Sequence, residues 1–260
     1  MLRRFGNHTV LSAFKRLISL LRGAGVLNTW SVFLSVVDDR YLKCFDRRYR
    51  IRTSGFIPLA TTSFEPSRLP DATIYGPVNG WAFRRLLKEL NLPRRLHFAD
   101  LGCGLGRACV LAAEYGFEKV TGVELASELC VMARQNIATC RTRLRVLPAV
   151  SILQMDVLNF CERTDDDVFF MFRPFSLEFM RVVVNTLTAR ASSLRKPITI
   201  IYSERLLLSP SYVRAFAEDP AFHKLYEAAM FGQVFYVSEC NSASVDPAKD
   251  RLHKPVAAQS

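Results

Sequence analysis

The stretch from Phe98 to Arg107 constrains this chain more than any other. Phe98-Ala99-Asp100-Leu101 is a short apolar strand, and it runs directly into Gly102-Cys103-Gly104-Leu105-Gly106-Arg107. Residues 106–115 read as a helix, and Lys119-Val120-Thr121-Gly122-Val123 reads as a second strand ending on Glu124. A strand that turns this tightly into a helix needs residues without Cβ, and glycine also lets a ligand lie against the backbone. The helix start then presents N–H groups that have no partner within the helix. An acid closing the next strand is placed to accept from the hydroxyls of a ribose. These features together describe a βαβ unit that binds a nucleoside.

The glycine spacing narrows the ligand. A dinucleotide fingerprint has its third glycine one position after the site of Gly106, where this chain has Arg107. The pattern here is Asp100-x-Gly102-x-Gly104-x-Gly106. It resembles the first motif of the class I S-adenosylmethionine-dependent methyltransferases. That resemblance implies Asp100, Gly102, Gly104 and Gly106 around the cofactor, with Glu124 on the ribose and Leu125 beside it. Cys103 lies inside the turn, where a small residue is needed, and this explains it better than a catalytic role does.

The rest of the chain alternates as an α/β protein does. Strands are expected at about 96–101, 119–124, 151–155, 167–172 and 197–203, with helices at about 106–115, 126–138 and 176–191. A helix near 210–218 precedes two further strands, Phe222–Met230 and Gln233–Ser238, which Gly232 joins as a hairpin. The expected fold is a doubly wound, mostly parallel sheet with a C-terminal antiparallel hairpin. Ahead of the first strand, Tyr75-Gly76-Pro77 leads into a helix over 78–90. In the family that the motif resembles, a helix in this place often covers the cofactor, which implicates Tyr75.

Ligands of an open α/β sheet bind beyond the carboxyl ends of the strands. Glycines 102, 104 and 106, then Glu124, then Met155-Asp156, then Arg173-Pro174-Phe175, then Ser203-Glu204 all fall at that edge. Asp156 resembles the family's acid for the adenine amino group, and Met155 is placed to pack on the purine or in the core. Asp165, Asp166 and Asp167 precede the fourth strand, on the opposite edge, and are expected in a solvated turn. As a strand-end acid, Glu124 is expected to carry little packing.

Arg173-Pro174-Phe175 resembles a fourth motif that reads Asn-Pro-Phe in one methyltransferase subgroup. There the Asn and the Pro carbonyl align a target nitrogen, and the ring packs on the acceptor. Arginine only donates and stays protonated, so Arg173 cannot take over the acceptor role of that Asn. It can grip an acidic acceptor bidentately, or it can mark lost catalysis. Methyl transfer from a sulfonium relies on positioning and water exclusion, so a strong base is not obligatory. Glu204 is the carboxylate considered for proton acceptance.

Charge is concentrated at the start of the chain. Residues 1–55 carry eleven Lys/Arg and three acids, or +8 of the net +11. Val10, Leu11, Phe14, Leu17, Ile18 and Leu21 share one helical face, opposite Lys15, Arg16 and Arg22. This basic amphipathic helix over 10–22 has three readings: docking on the main domain, peripheral contact with an anionic membrane, and organelle targeting. The basic run from Phe45 to Phe56 suits a solvated loop, with phosphate or nucleic-acid contact as the alternative. No apolar stretch reaches the ~20 residues that span a bilayer. Seven scattered cysteines form no ligand cluster, so no metal is expected, and the compartment is expected to be reducing and cytoplasmic.

The expected organisation is a basic N-terminal helical extension over 1–55, a methyltransferase domain over 56–240 and a disordered tail over 241–260. The function implied by the resemblance is transfer of a methyl group to a nitrogen or oxygen of a protein side chain or small molecule. An RNA or DNA methyltransferase and a non-catalytic cofactor-binding module are the alternatives. Aminopropyl transfer uses a similar fold but wants acids in the acceptor site, against Arg173.

Overall fold

A computed structural model describes residues 43–55, 57, 62, 75–141, 149–205, 212 and 221–240. The expected helices at 10–22 and 210–218 lie outside these residues, apart from Tyr212 in the second, as does the tail from 241. Seven strands form one sheet: β1 His97–Leu101, β2 Lys119–Glu124, β3 Ala149–Gln154, β4 Val168–Phe172, β5 Ile198–Arg205, β6 Phe222–Met230 and β7 Gln233–Cys240. Helices α1 Gly80–Leu90, α2 Arg107–Tyr115, α3 Ser127–Arg141, α4 Val157–Cys161 and α5 Leu177–Leu194 connect and cover them. The short α4 was not expected from the sequence, because five residues carry no helical periodicity.

The strand order is β3-β2-β1-β4-β5-β7-β6. The first five strands are parallel, and β7 enters antiparallel between β5 and β6. Parallel strands covered on both faces read as nearly unbroken apolar runs, as Val168-Phe169-Phe170-Met171-Phe172 does. Alternate residues divide between two cores. Phe98, Phe170, Ile201 and Phe235 pack with Phe83, Leu86 and Leu87 of α1, while Ala99, Phe169, Met171, Tyr202 and Tyr236 pack with Val183 and Leu187 of α5. A side chain of this size contributes about 1.5–3 kcal/mol when fully buried.

Two expectations about loops are overturned. The segment from Phe45 is not a solvated loop: residues 43–49 are helical, and Phe45, Tyr49, Ile51 and Thr53 are buried. Its arginines 47, 48, 50 and 52 alternate with these and stay exposed, so a basic composition concealed an apolar face. Nor is the acid run at 165–167 simply solvated. Asp166 is buried with its carboxylate 3.1 Å from Lys119 Nζ, and Asp167 accepts from the His97 backbone N–H at 2.8 Å. These acids fasten the edge of the sheet remote from the glycine turn. His97, Asp165 and Asp166 converge there closely enough to hold a cation, but the Lys119 ammonium already sits against both carboxylates. Among the described residues no helix is long and apolar enough to cross a membrane.

Candidate active site

The glycine turn is built from backbone outward. Gly102, Gly104 and Gly106 all have positive φ, at 79°, 52° and 81°, where a side chain would be strained. The turn also leaves no room. A Cβ on Gly102 would stand 2.7 Å from Pro174 Cβ, and one on Gly104 would stand 2.2 Å from the Tyr75 ring. The first and fourth motifs therefore touch directly, and the Tyr75 ring lies against the turn. The Tyr75 hydroxyl donates to the Thr53 carbonyl at 2.7 Å, and burial raises its pKa.

Glu124 holds the turn in place. Its Oε2 accepts from the Gly104 N–H at 2.9 Å, and its Oε1 accepts from Leu125 N–H at 2.8 Å and Ala126 N–H at 3.0 Å. This corrects the view of Glu124 as a strand-end acid with little structural role. A carboxylate offers roughly four lone-pair positions, and three are taken here. One acceptor position on Oε2 remains open toward the cleft, so an undivided grip on two hydroxyls is not available. Burial raises the Glu124 pKa, and the three backbone N–H groups oppose that rise. Nearby, burial pushes the Asp100 carboxyl up to about 7, opposed by a hydrogen bond from the Cys109 thiol and reinforced by the Glu124 charge. The Cys109 hydrogen bond and burial hold the Cys103 thiol well above its ordinary range.

One cleft of about 890 Å³, counted to its open mouth, collects most of the expected residues. Tyr75, Asp100, Gly102, Gly104, Glu124, Leu125, Met155, Asp156, Pro174 and Phe175 all line it. Gly106 does not, because it packs against Ala133 of α3, with 3.4 Å left for a Cβ. Asp156 also caps α4, accepting from the Leu158 N–H at 2.7 Å. Phe175 stands edge-on to Phe179 at 5.1 Å, and Phe179 joins the lining although the sequence motifs did not single it out. Its spacing of four from Phe175, across the α5 start, was the available signal.

Arg173 and Glu204 do not line this cleft. Arg173 Nη1 lies 3.9 Å from Glu204 Oε2, and the guanidinium stacks on the Tyr212 ring at 4.2 Å. The same Glu204 oxygen accepts from the Tyr202 hydroxyl at 2.9 Å and the Tyr212 N–H at 3.1 Å. Glu204 is buried, and its contacts are those of a counter-ion. Arg173 adopts φ 39°, a left-handed conformation that costs a non-glycine residue roughly 1–2 kcal/mol. In this conformation its side chain meets Glu204 while Pro174 and Phe175 line the cleft.

Five parallel strands in the order 3-2-1-4-5, with β7 inserted antiparallel before β6, and a glycine turn after β1 decide the fold. The chain has the class I methyltransferase fold. A family model described as "Histone methylation protein DOT1" matches residues 68–152, about a third of the chain, including Tyr75 and ending within β3. No curated protein matches the chain. Among solved structures it is similar to a ribosomal protein L11 methylase from Lactobacillus delbrueckii subsp. bulgaricus, at 17% identity over 64% of this chain and 81% of that one, with a TM-score of 0.49. A magnesium protoporphyrin IX methyltransferase from Synechocystis, solved with bound S-adenosylmethionine, is 16% identical over 80% of this chain and 96% of that one, with a TM-score of 0.48. A protein described as a putative RNA methyltransferase, from Pyrococcus horikoshii, is 17% identical over 62% of this chain and 81% of that one, with a TM-score of 0.44.

The cofactor that fits this cleft is S-adenosylmethionine. Glu124 keeps an acceptor for a hydroxyl, Met155 and Phe179 supply apolar wall, and three acids, Asp100, Glu124 and Asp156, face a ligand that carries a sulfonium and an ammonium charge. A pyrophosphate is poorly served by the same lining, because Asp100, Glu124 and Asp156 oppose it and the Arg107 guanidinium at the cleft is already paired with Asp46.

Proposed function

We propose that the protein is a methyltransferase that uses S-adenosylmethionine and delivers the methyl group to a nitrogen or oxygen of a protein side chain or small molecule. The observation that carries this reading is the contact between the first and fourth motifs. Pro174 and Phe175 close on Gly102, so the acceptor-facing segment borders the same cleft as the glycine turn, Glu124 and Asp156. The family match over 68–152 supports it independently. Asp100 and Glu124 favour the cationic sulfonium form of the cofactor, Phe175 and Phe179 exclude water from the transfer path, and in-line displacement then needs positioning more than base strength.

Arg173 supports a second reading, a cofactor-binding module without transfer. Its guanidinium is engaged by Glu204 and Tyr212, which leaves the fourth motif without the hydrogen-bond acceptor that an Asn supplies. Exposed arginines at 47, 48, 50 and 52 keep nucleic acid among the acceptors to be screened. Calorimetry with S-adenosylhomocysteine and a labelled-methyl screen over protein, RNA and metabolite pools test all three, with Gly104→Ala as the blank. Binding with transfer to protein or metabolites is expected. Binding without any transfer supports the module, transfer to RNA alone supports the nucleic-acid alternative, and tighter binding of NAD refutes the cofactor assignment.

A further inference from the structure

Arg107 stands where a dinucleotide fingerprint has glycine; it borders the cleft, yet methyl transfer there assigns it no chemical step. The residue opens α2 and is buried, with 2% of its surface exposed. Such a charge must be paired or it destabilises the fold. Its guanidinium reaches away from α2 into the segment over 45–54. Nε donates to Thr53 Oγ1 at 2.7 Å, and Nη2 donates to Asp46 Oδ1 at 3.1 Å and Ser54 Oγ at 3.2 Å. Nη1 reaches the Val78 carbonyl at 3.5 Å, and the guanidinium carbon lies 4.6 Å from the Phe45 ring centre. Asp46 in turn accepts from the Thr53 hydroxyl at 2.6 Å, the Thr53 N–H at 2.9 Å and the Ser54 N–H at 2.8 Å. Asn136 of α3 fixes the same segment, exchanging hydrogen bonds of 3.0 Å with both backbone groups of Arg52 while donating to the Leu105 carbonyl inside the glycine turn.

Thr53 is the hub, and its carbonyl makes a separate contact by accepting from the Tyr75 hydroxyl. The Tyr75 ring is what lies on Gly104. A continuous line of contacts therefore runs from Arg107 through Thr53 to the ring that covers the cofactor turn. The residues that complete it, 46, 53 and 54, come from the strongly basic start of the chain, outside the common fold.

We infer that Arg107 is a positioning residue for the cofactor: by fixing Thr53 it sets the Tyr75 ring over Gly104, and the 45–54 segment is thereby a working wall of the cofactor site. The inference rests on the cofactor reading above. Glycine at position 107 would leave Asp46 a largely buried acid without this partner and hold Thr53 through Asp46 alone, so the departure from the dinucleotide pattern has a positive cause in this chain.

The test uses the full-length protein and two measurements on each sample, S-adenosylhomocysteine affinity by calorimetry and melting temperature. Tyr75→Phe keeps the ring and removes the link to Thr53. Arg107→Lys keeps the charge but lacks the planar fork that engages four partners at once. Tyr75→Phe is expected to weaken binding about fivefold with little change in melting temperature, and Arg107→Lys at least about tenfold. Because both act through Thr53, the double variant is expected to bind no worse than Arg107→Lys alone. A purely structural Arg107 gives a lowered melting temperature with wild-type affinity in the folded fraction, and that result overturns the inference, as does a double variant whose loss is the product of the singles. If Arg107→Lys does not fold, Thr53→Val takes its place in the same cycle. Wild-type protein that binds no S-adenosylhomocysteine refutes the cofactor reading, whereas wild-type binding matched by all the variants refutes only the role of Arg107.

Discussion

Replacing Glu124 separates its structural duty from its ligand duty. In the folded chain its carboxylate satisfies three backbone N–H groups at 2.8–3.0 Å in a site where the residue is 8% exposed. A buried donor left without a partner costs about 1–3 kcal/mol, and water entering the space vacated by Glu124→Ala recovers part of that. The expected loss is about 3–6 kcal/mol, a large part of the roughly 5–15 kcal/mol that holds a domain folded. Glu124→Gln is the sharper probe. Its amide oxygen can keep Leu125 and Ala126, but its NH₂ then faces the Gly104 N–H, donor against donor. One bond is lost and one repulsion gained, about 2–3 kcal/mol. Urea unfolding without cofactor measures this, with an unchanged denaturant slope confirming that the same surface is exposed. Glu124→Gln within ~0.5 kcal/mol of wild type would falsify the claim that this carboxylate holds the glycine turn.

The Asp100 carboxyl, raised to about 7, makes stability fall as pH rises. The folded state keeps a proton that the unfolded chain releases from about pH 4 upward, so stability declines between about 4 and 7 by up to roughly 4 kcal/mol. Asp100→Asn should flatten the profile of urea midpoint against pH, and an unchanged profile would remove Asp100 as its cause. The cationic cofactor favours ionised Asp100, so S-adenosylmethionine affinity should rise through pH 7 more steeply than that of uncharged-sulfur S-adenosylhomocysteine; calorimetry at pH 6 and 8 decides. Gly104→Ala should abolish cofactor binding, because its Cβ would overlap the Tyr75 ring, while Gly232→Ala, also at positive φ but with nothing within 4 Å, should cost only about 1 kcal/mol and leave binding intact. Arg173→Ala should lower the melting temperature by stranding buried Glu204, whereas Arg173→Asn paired with Glu204→Gln should recover stability; equal melting temperatures for Arg173→Ala and wild type would show that the pair carries no weight.

The β1 turn and the strand-end acids were legible in the sequence because glycine spacing and strand period are local signals. Met155, Asp156, Pro174 and Phe175 could be placed on one edge from strand order alone. What escaped was long-range pairing. Arg173 and Glu204 both sit at the correct edge, yet their ion pair and the Tyr212 stack turn them from the cleft, and nothing local announces a partner so far along the chain. The lone pairs of Glu124 were likewise spoken for by amides whose orientation depends on the folded turn. The segment over 45–54 misled for a different reason: its arginines dominate the composition, while Phe45, Tyr49, Ile51 and Thr53 alternate beneath them. Asp46 among those arginines was the trace that remained of Arg107.

The outer strand β6 carries a consequence for how copies of this chain meet. Among the described residues it is the last strand of the sheet, with no strand paired to one side of its backbone. Its register slips between Lys224 and Tyr226, and Leu225 projects at the break, 51% exposed. His223, Lys224 and Glu227 surround the slip. A bulge interrupts the regular ladder that an incoming strand must match, and charge beside it penalises close approach. The hairpin that completes the sheet thus also ends it, and the irregular residue and its charged neighbours together oppose strand-to-strand aggregation. Removing Leu225 to restore an even register would offer the cell a longer, smoother edge, and insolubility would follow before any loss of the cofactor site.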